Sequence, residues 1–370
     1  MSVDLPAAPA AARDGGEAVE VDHLLSWLPV DRVARARVPM LLATAFLVVA
    51  MLVGVSVGPV DVPPVAVVGT LLAHLGLAHP HVSAVDQAIV WQLRLPRVVL
   101  ACLVGAMLAA GGAAYQGVFR NPLADPYLLG VAAGAGLGAT VVIVSGHYAS
   151  QVLPIAAFVG AVGAVAMTYV LGATGDVRDS SRSIVLAGVA VAALLTAVQT
   201  YLQQQHAPEI QQVYNWLLGS LSVANWTDVW LILPYVAVSG VLLVAHRRVL
   251  DVLRVGEDEA RALGVNPERT RVLVVGAATL GTAAAVSVSG LIGFVGIIVP
   301  HTVRLAASSS YRVVLPVSMV AGGAFLVLAD LLARTVEAPA EVPIGVITAL
   351  VGAPFFLFVL RSRRGGQGVR

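Results

Sequence analysis

Residues 94–126 read RLPRVVLACLVGAMLAAGGAAYQGVFRNPLADP, and between Val98 and Phe119 no residue is charged. An α-helix rises about 1.5 Å per residue, so roughly 20 apolar residues cross a bilayer core and this run is long enough to do so. Ala101, Gly105, Ala109, Ala113 and Gly117 recur at every fourth position, and Ala106, Ala110 and Ala114 form a neighbouring stripe. Contact with lipid does not call for small side chains, whereas close approach of another helix does. The stretch therefore predicts a transmembrane helix enclosed by other helices.

The whole chain agrees with that reading. Hydrophobic residues make up 58% of the 370 and charged ones 12%, which excludes an ordinary soluble domain. All 22 basic residues are Arg, and no GxxxxGK[ST] occurs. The Lys-bearing loop that grips nucleotide phosphates is thus missing, and any ATP hydrolysis has to come from a partner. The single cysteine, Cys102, lies inside the run above, so neither a disulfide framework nor a cysteine metal site is expected. His74, His79 and His81 are not spaced as helical metal ligands and read as loop histidines.

Ten apolar spans can be marked, at about 38–59, 94–119, 127–145, 152–173, 183–202, 229–245, 272–289, 291–305, 313–332 and 342–360. Gly130, Gly134 and Gly138 repeat the small-residue spacing in the third. Residues 1–22 read as a disordered tail rather than a signal peptide, 24–37 as an interfacial segment, and 65–77 as a short surface helix. After the fifth span come Gln203, Gln204, Gln205, Gln211 and Gln212, which a lipid-facing helix would not carry. The following YNWLLGSLSV, at 214–223, is too short to span. Such a half-helix at membrane depth needs protein or a water-filled cavity around it, so it reads as re-entrant and pathway-lining, with an interfacial anchor as the alternative. Cytoplasmic loops retain positive charge. With both termini inside, all of the 22 arginines except Arg94, Arg97 and Arg334 fall on the cytoplasmic side.

Those exceptions form an external arginine set, and guanidinium groups are bidentate hosts for carboxylates. Local alternatives are an ion pair between Asp330 and Arg334, four apart on one helix, and headgroup contacts of Arg94 and Arg97. On the inner side, GEDEARALGVNPERTR at 256–271 reads as two short capped helices. Glu257, Asp258 and Glu259 suit a helix N-terminus, Glu257 can pair with Arg261, Gly264 suits the stop, and Asn266 caps ahead of Pro267. The result is a rigid charged knob.

The chain resembles the FecCD-type permeases, the membrane subunits of ABC importers for iron-siderophores, haem and cobalamin. The residues that carry the resemblance are RLPR at 94–97, Gln116, RNPLADP at 120–126, LLG at 128–130, LAG at 186–188, LGV at 263–265, GLIGFVG at 290–296, VPH at 299–301, Ala329 with Asp330, Arg334, PIGV at 343–346 and GAP at 352–354. Together they cover about 38–362 as a permease domain, with cytoplasmic tails at 1–37 and 363–370.

The resemblance implies an all-α polytopic protein with ten transmembrane helices in the type II ABC importer permease fold, lying in a bacterial plasma membrane as a homodimer or a heterodimer with a paralogue. It implies two ATPase subunits inside and a substrate-binding protein outside that docks on Arg94, Arg97 and Arg334. Glu257, Asp258, Glu259, Arg261, Leu263 and Gly264 match the segment that engages the ATPase. Asn121, Leu123 and Ser181 match positions near the inner gate, and His301 looks structural within its motif. An iron-siderophore is the expected cargo, ahead of haem or cobalamin. No cofactor, metal ligand set or nucleic-acid partner is expected. A secondary transporter fits less well, because the spans are nearly free of ionisable residues apart from Asp330.

Overall fold

A computed structural model describes residues 29–77, 82–146, 151–172 and 180–365. The expectations for the tails up to 28 and beyond 365, for His79 and His81, and for the loop before Ser180 lie outside the described residues. Among the described residues thirteen helices follow one another, short 3-10 turns aside: α1 (Pro29–Ser56), α2 (Pro64–His74), α3 (Ala84–Val118), α4 (Val131–Val144), α5 (Val152–Gly172), α6 (Ser180–Gln205), α7 (Ile210–Leu217), α8 (Trp226–Leu253), α9 (Glu257–Ala262), α10 (Pro267–Ser289), α11 (Val295–Ala306), α12 (Tyr311–Thr335) and α13 (Ile344–Gly365). Among the described residues there is no strand. Among the described residues seven helices are long and apolar enough to cross a membrane, and α4, α11 and α13 are shorter apolar helices at the places of the other three expected spans. The fourth short apolar helix, α2, is the surface helix foreseen at 65–77.

Helix α3 is the axis of the bundle. The apolar window of α3 is 78% buried, against 22% for those of α1 and α6. Its small residues bring other backbones close, as their spacing requires. A Cβ on Gly105 would lie 2.2 Å from the Gly322 carbonyl oxygen of α12, and one on Gly112 would lie 2.0 Å from the Gly296 oxygen of α11. No side chain fits at such distances, so both contacts depend on glycine.

Helix α3 also begins ten residues earlier than the apolar run suggests. Ser83 caps it by accepting from the Asp86 amide, and residues Ile89–Arg94 widen into a π-turn before the regular helix resumes at Leu95. Pro96 explains the widening, because its ring crowds the preceding turn and it offers no N–H to it. Arg94 and Arg97 consequently sit inside a helix rather than at its start.

Other boundaries move for similar reasons. Helices α8 and α10 run past the apolar cores expected for them, so the second helix foreseen in the knob is the first part of α10 itself. The half-helix is α7, shifted upstream to include Gln211 and Gln212, while residues 218–223 are irregular. Its one buried side chain is Val213, and the glutamines lie on the exposed side. Helix α1 begins at Pro29 and runs without a break across the boundary foreseen at 37.

Candidate functional site

Arg94, Arg97 and Arg334 gather at one end of the bundle, and each is at most 9% exposed. Two of them hold the end of α1. Arg94 donates to the Val55 and Ser56 carbonyls at 3.1 and 2.8 Å and to that of Val60, while Arg334 donates to that of Gly54. The last carbonyls of a helix lack intrahelical partners and carry partial negative charge, so guanidinium groups cap them well.

Arg97 is bound differently. Its Nε and Nη2 donate to Asp330 at 2.9–3.0 Å, and its Nη1 and Nη2 donate to Glu341 at 2.8 and 2.9 Å. Both edges of the guanidinium fork are therefore occupied by carboxylates. Asp330 is 1% exposed and also lies 3.7 Å from Arg334, as the i,i+4 spacing suggested. Charge reversal at Arg97 would place three carboxylates together in this cluster, so such a variant would not keep its fold. A side chain left out of the sequence reading, Glu341, completes the set. An external set of three arginines with Asp330 as its one assigned acid was the signal that could have led to it.

Beside Glu341 three helix ends meet. The carbonyls of Leu218 and Gly219, beyond the last turn of α7, accept from the Gly345 and Ile344 amides that begin α13, at 3.0 and 3.2 Å. The Ser220 amide donates to the Ser289 carbonyl that ends α10, at 2.9 Å. Gly219 takes φ +74° and Gly290 φ +68°, and a Cβ on Gly290 would come within 2.2 Å of the Trp216 oxygen. Between α10 and α11 the chain is unwound, and Tyr127 spans the break: its hydroxyl donates to the Ile292 carbonyl and accepts from the Ile292 amide. The C-terminal end of the half-helix is thus tied to protein backbone, while most of its side chains stay partly or fully exposed in this chain. Next to this junction opens a cavity of about 830 Å³, with Asn215, Ser220, Asp228, Ser289 and Glu341 among its polar lining.

The knob occupies the opposite end. Helix α9 has three acids in its first turn, Gly264 follows it at φ +80°, and Asn266 accepts from the Arg269 amide at the start of α10. Glu257 is the knob's anchor, 2.5 Å from buried Arg271, 3.6 Å from Arg261 and 3.9 Å from Arg120. Asp258 and Leu263 project outward, with a 94% exposed side chain on Asp258 and 69% exposure at Leu263. Glu259 belongs to the same first turn.

Arg120 brings the knob next to the turn that closes α3. There the Asn121 side chain accepts from the Leu123 amide at 3.0 Å, and Leu123 is 44% exposed. Asp125 receives the Tyr127 amide, while burial pushes its carboxyl up to about 6. Ser181 lies in the first turn of α6. His301 is buried edge-on to Phe355, 6.1 Å between ring centres.

A family model described as the FecCD transport family matches residues 46–362. The chain belongs to that family. FecCD proteins are membrane permease subunits of type II ABC importers, which work with separate ATPase and binding-protein partners. The cobalamin import system permease BtuC of Halobacterium salinarum is 47% identical over 277 residues, covering 75% of this chain and 74% of that protein. The Fe(3+)-citrate import system permease YfmE of Bacillus subtilis is 34% identical over 328 residues, covering 88% and 96%. The hemin transport system permease HmuU of Yersinia pestis is 38% identical over 291 residues, covering 75% and 85%. Among solved structures, an inward-facing conformation of a metal-chelate type ABC transporter superposes with a TM-score of 0.77 at 29% identity, covering 87% of this chain and 98% of that one.

Proposed function

We propose that this permease moves a metal chelate from an extracytoplasmic binding protein into the cytoplasm, in a dimer of permease chains driven by two ATPase subunits. The observation that carries this reading is the separation of two unlike charged sites to opposite ends of a FecCD bundle. Both termini lie in the cytoplasm, which puts α9 inside and the arginine cluster outside, in agreement with the distribution of Arg. The binding protein docks over Arg97, with Arg94 and Arg334 beside it. Arg97 is the strongest host of the three, because one of its two carboxylate partners, Glu341, has a side chain 31% exposed. The ATPase receives α9 through the exposed residues Asp258, Glu259, Arg261 and Leu263, while Glu257 and Gly264 fix their geometry. The turn bearing Asn121 and Leu123, with Ser181, closes the path on the inner side.

The cargo we infer first is an iron-siderophore. A corrinoid is the second reading, favoured by the 47% identity to a cobalamin permease.

Purifying the tagged chain from its native membranes in mild detergent tests the assembly. Recovery of a P-loop ATPase in about equal amount, identified by mass spectrometry, is the expected result. Recovery of the chain alone, with uptake insensitive to ATP depletion, would overturn it. The absorbance spectrum and metal content of the accompanying binding protein then separate iron chelate from corrinoid.

A further inference from the structure

Resting on the docking reading above, we propose that Glu341 is a resident carboxylate, filling the seat on Arg97 that an acid of the binding protein takes, and that docking releases it onto the wall of the cavity. The two edges of the Arg97 guanidinium are held by unequal partners. The Nε and Nη2 edge belongs to Asp330, which is fixed on α12, 1% exposed and shared with Arg334. Removing that carboxylate would leave two buried cations with Glu341 as their one remaining counter-charge. The Nη1 and Nη2 edge belongs to Glu341, on the irregular segment between α12 and α13, with its side chain 31% exposed.

A partly hydrated pair exchanges partners at little net cost, since water solvates whichever carboxylate leaves. An incoming carboxylate meets the same planar pair of donors that Glu341 now uses, so it is recognised with the same bidentate geometry. A Lys-bearing or amide-bearing partner would not displace Glu341.

The neighbours of Glu341 determine where it goes. The Val342 amide donates to the Ala333 carbonyl, and the next two amides hold the end of α7. Glu341 is therefore the last link before a pinned strap, and its side chain already lines the cavity with Asp228, Ser289 and Ser220. Docking exchanges a neutralised carboxylate for a free one on that wall. The partner's acid is thereby converted into negative charge beside the half-helix.

The test uses the importer complex in lipid nanodiscs and the binding protein recovered with it. Removing the resident charge in Glu341→Gln is expected to tighten binding about tenfold. The companion Arg97→Lys keeps the charge of the cluster but loses the fork, and is expected to weaken binding by about the same factor. Unchanged affinity in Glu341→Gln, with weakening in Arg97→Lys, overturns the resident-carboxylate proposal alone. If neither variant changes the affinity, the docking reading fails with it. A second measurement needs no partner: phenylglyoxal labelling of the permease, resolved by peptide mass spectrometry. Labelling of Arg97 should rise in Glu341→Gln and Glu341→Ala while that of Arg94 stays constant. Equal labelling of Arg97 in wild type and both variants overturns the proposal.

Discussion

The arginine cluster at one end of the bundle and the knob at the other are built from the same side chains, Arg with Asp or Glu, and differ in almost everything else. In the cluster, Arg97, Arg334 and Asp330 are withdrawn from water, and both carboxylates on Arg97 come from segments more than 200 positions away in sequence. In the knob, Arg261 pairs with Asp258 and Glu257 within a single turn of α9, with Asp258 almost fully in water. A buried charge must be matched by its neighbours or the fold suffers, so the cluster is a lock on the tertiary structure. An exposed pair contributes little to stability and leaves its groups available to a partner. Chemistry alone does not say which role an ion pair plays; desolvation does.

That contrast can be broken first at Asp330. Asp330→Ala leaves Arg97 and Arg334 buried with half their counter-charge and should cost about 3–5 kcal/mol, read as a large fall in the melting midpoint and in monodisperse yield. A melting midpoint close to wild type would mean that water reaches the cluster. In the knob the largest effect should come from backbone rather than charge. Gly264→Val forces a β-branched residue to φ +80° and should cost about 1–3 kcal/mol, seen as faster hydrogen exchange over 257–266. Asn266→Ala removes the cap of α10 and should cost about 1 kcal/mol. Smallest of all, Asp258→Ala should leave the melting midpoint unchanged, because its ion pair with Arg261 lies in water. Salt at 0.5 M, in which the screening length is about 3–10 Å, should likewise leave the cluster and the Glu257–Arg271 anchor intact and weaken the exposed Arg261–Asp258 pair.

How far each region could be read in the sequence follows from the same contrast. The knob is local: Glu257 with Arg261, Gly264 and Asn266 with Pro267 lie within eleven residues, and each makes the contact its spacing suggested. The enclosed position of α3 was also legible, since a stripe of glycine and alanine has few other uses. The cluster was legible only as a set of residues. Arg97 and Glu341 are 244 positions apart, and no pattern short of the tertiary fold links them. The π-turn was hidden as well, because Pro96 reads as a helix start until Ser83 and Asp86 are seen to begin the helix earlier. The half-helix was recognised as too short to span, but glutamines on its exposed side drew its expected start downstream of Ile210.

The head-on meeting of α7 and α13 has an electrostatic consequence. Peptide dipoles leave partial negative charge at the C-terminal end of one helix and partial positive charge at the N-terminal end of the other. Here the carbonyls of Leu218 and Gly219 receive the amides of Gly345 and Ile344, so those two poles are joined and largely cancel. The seam between the two helix ends therefore presents a reduced pole to the neighbouring cavity. At that seam the fixed polarity of the backbone contributes little to the potential in the cavity, which is left to the side chains that line it.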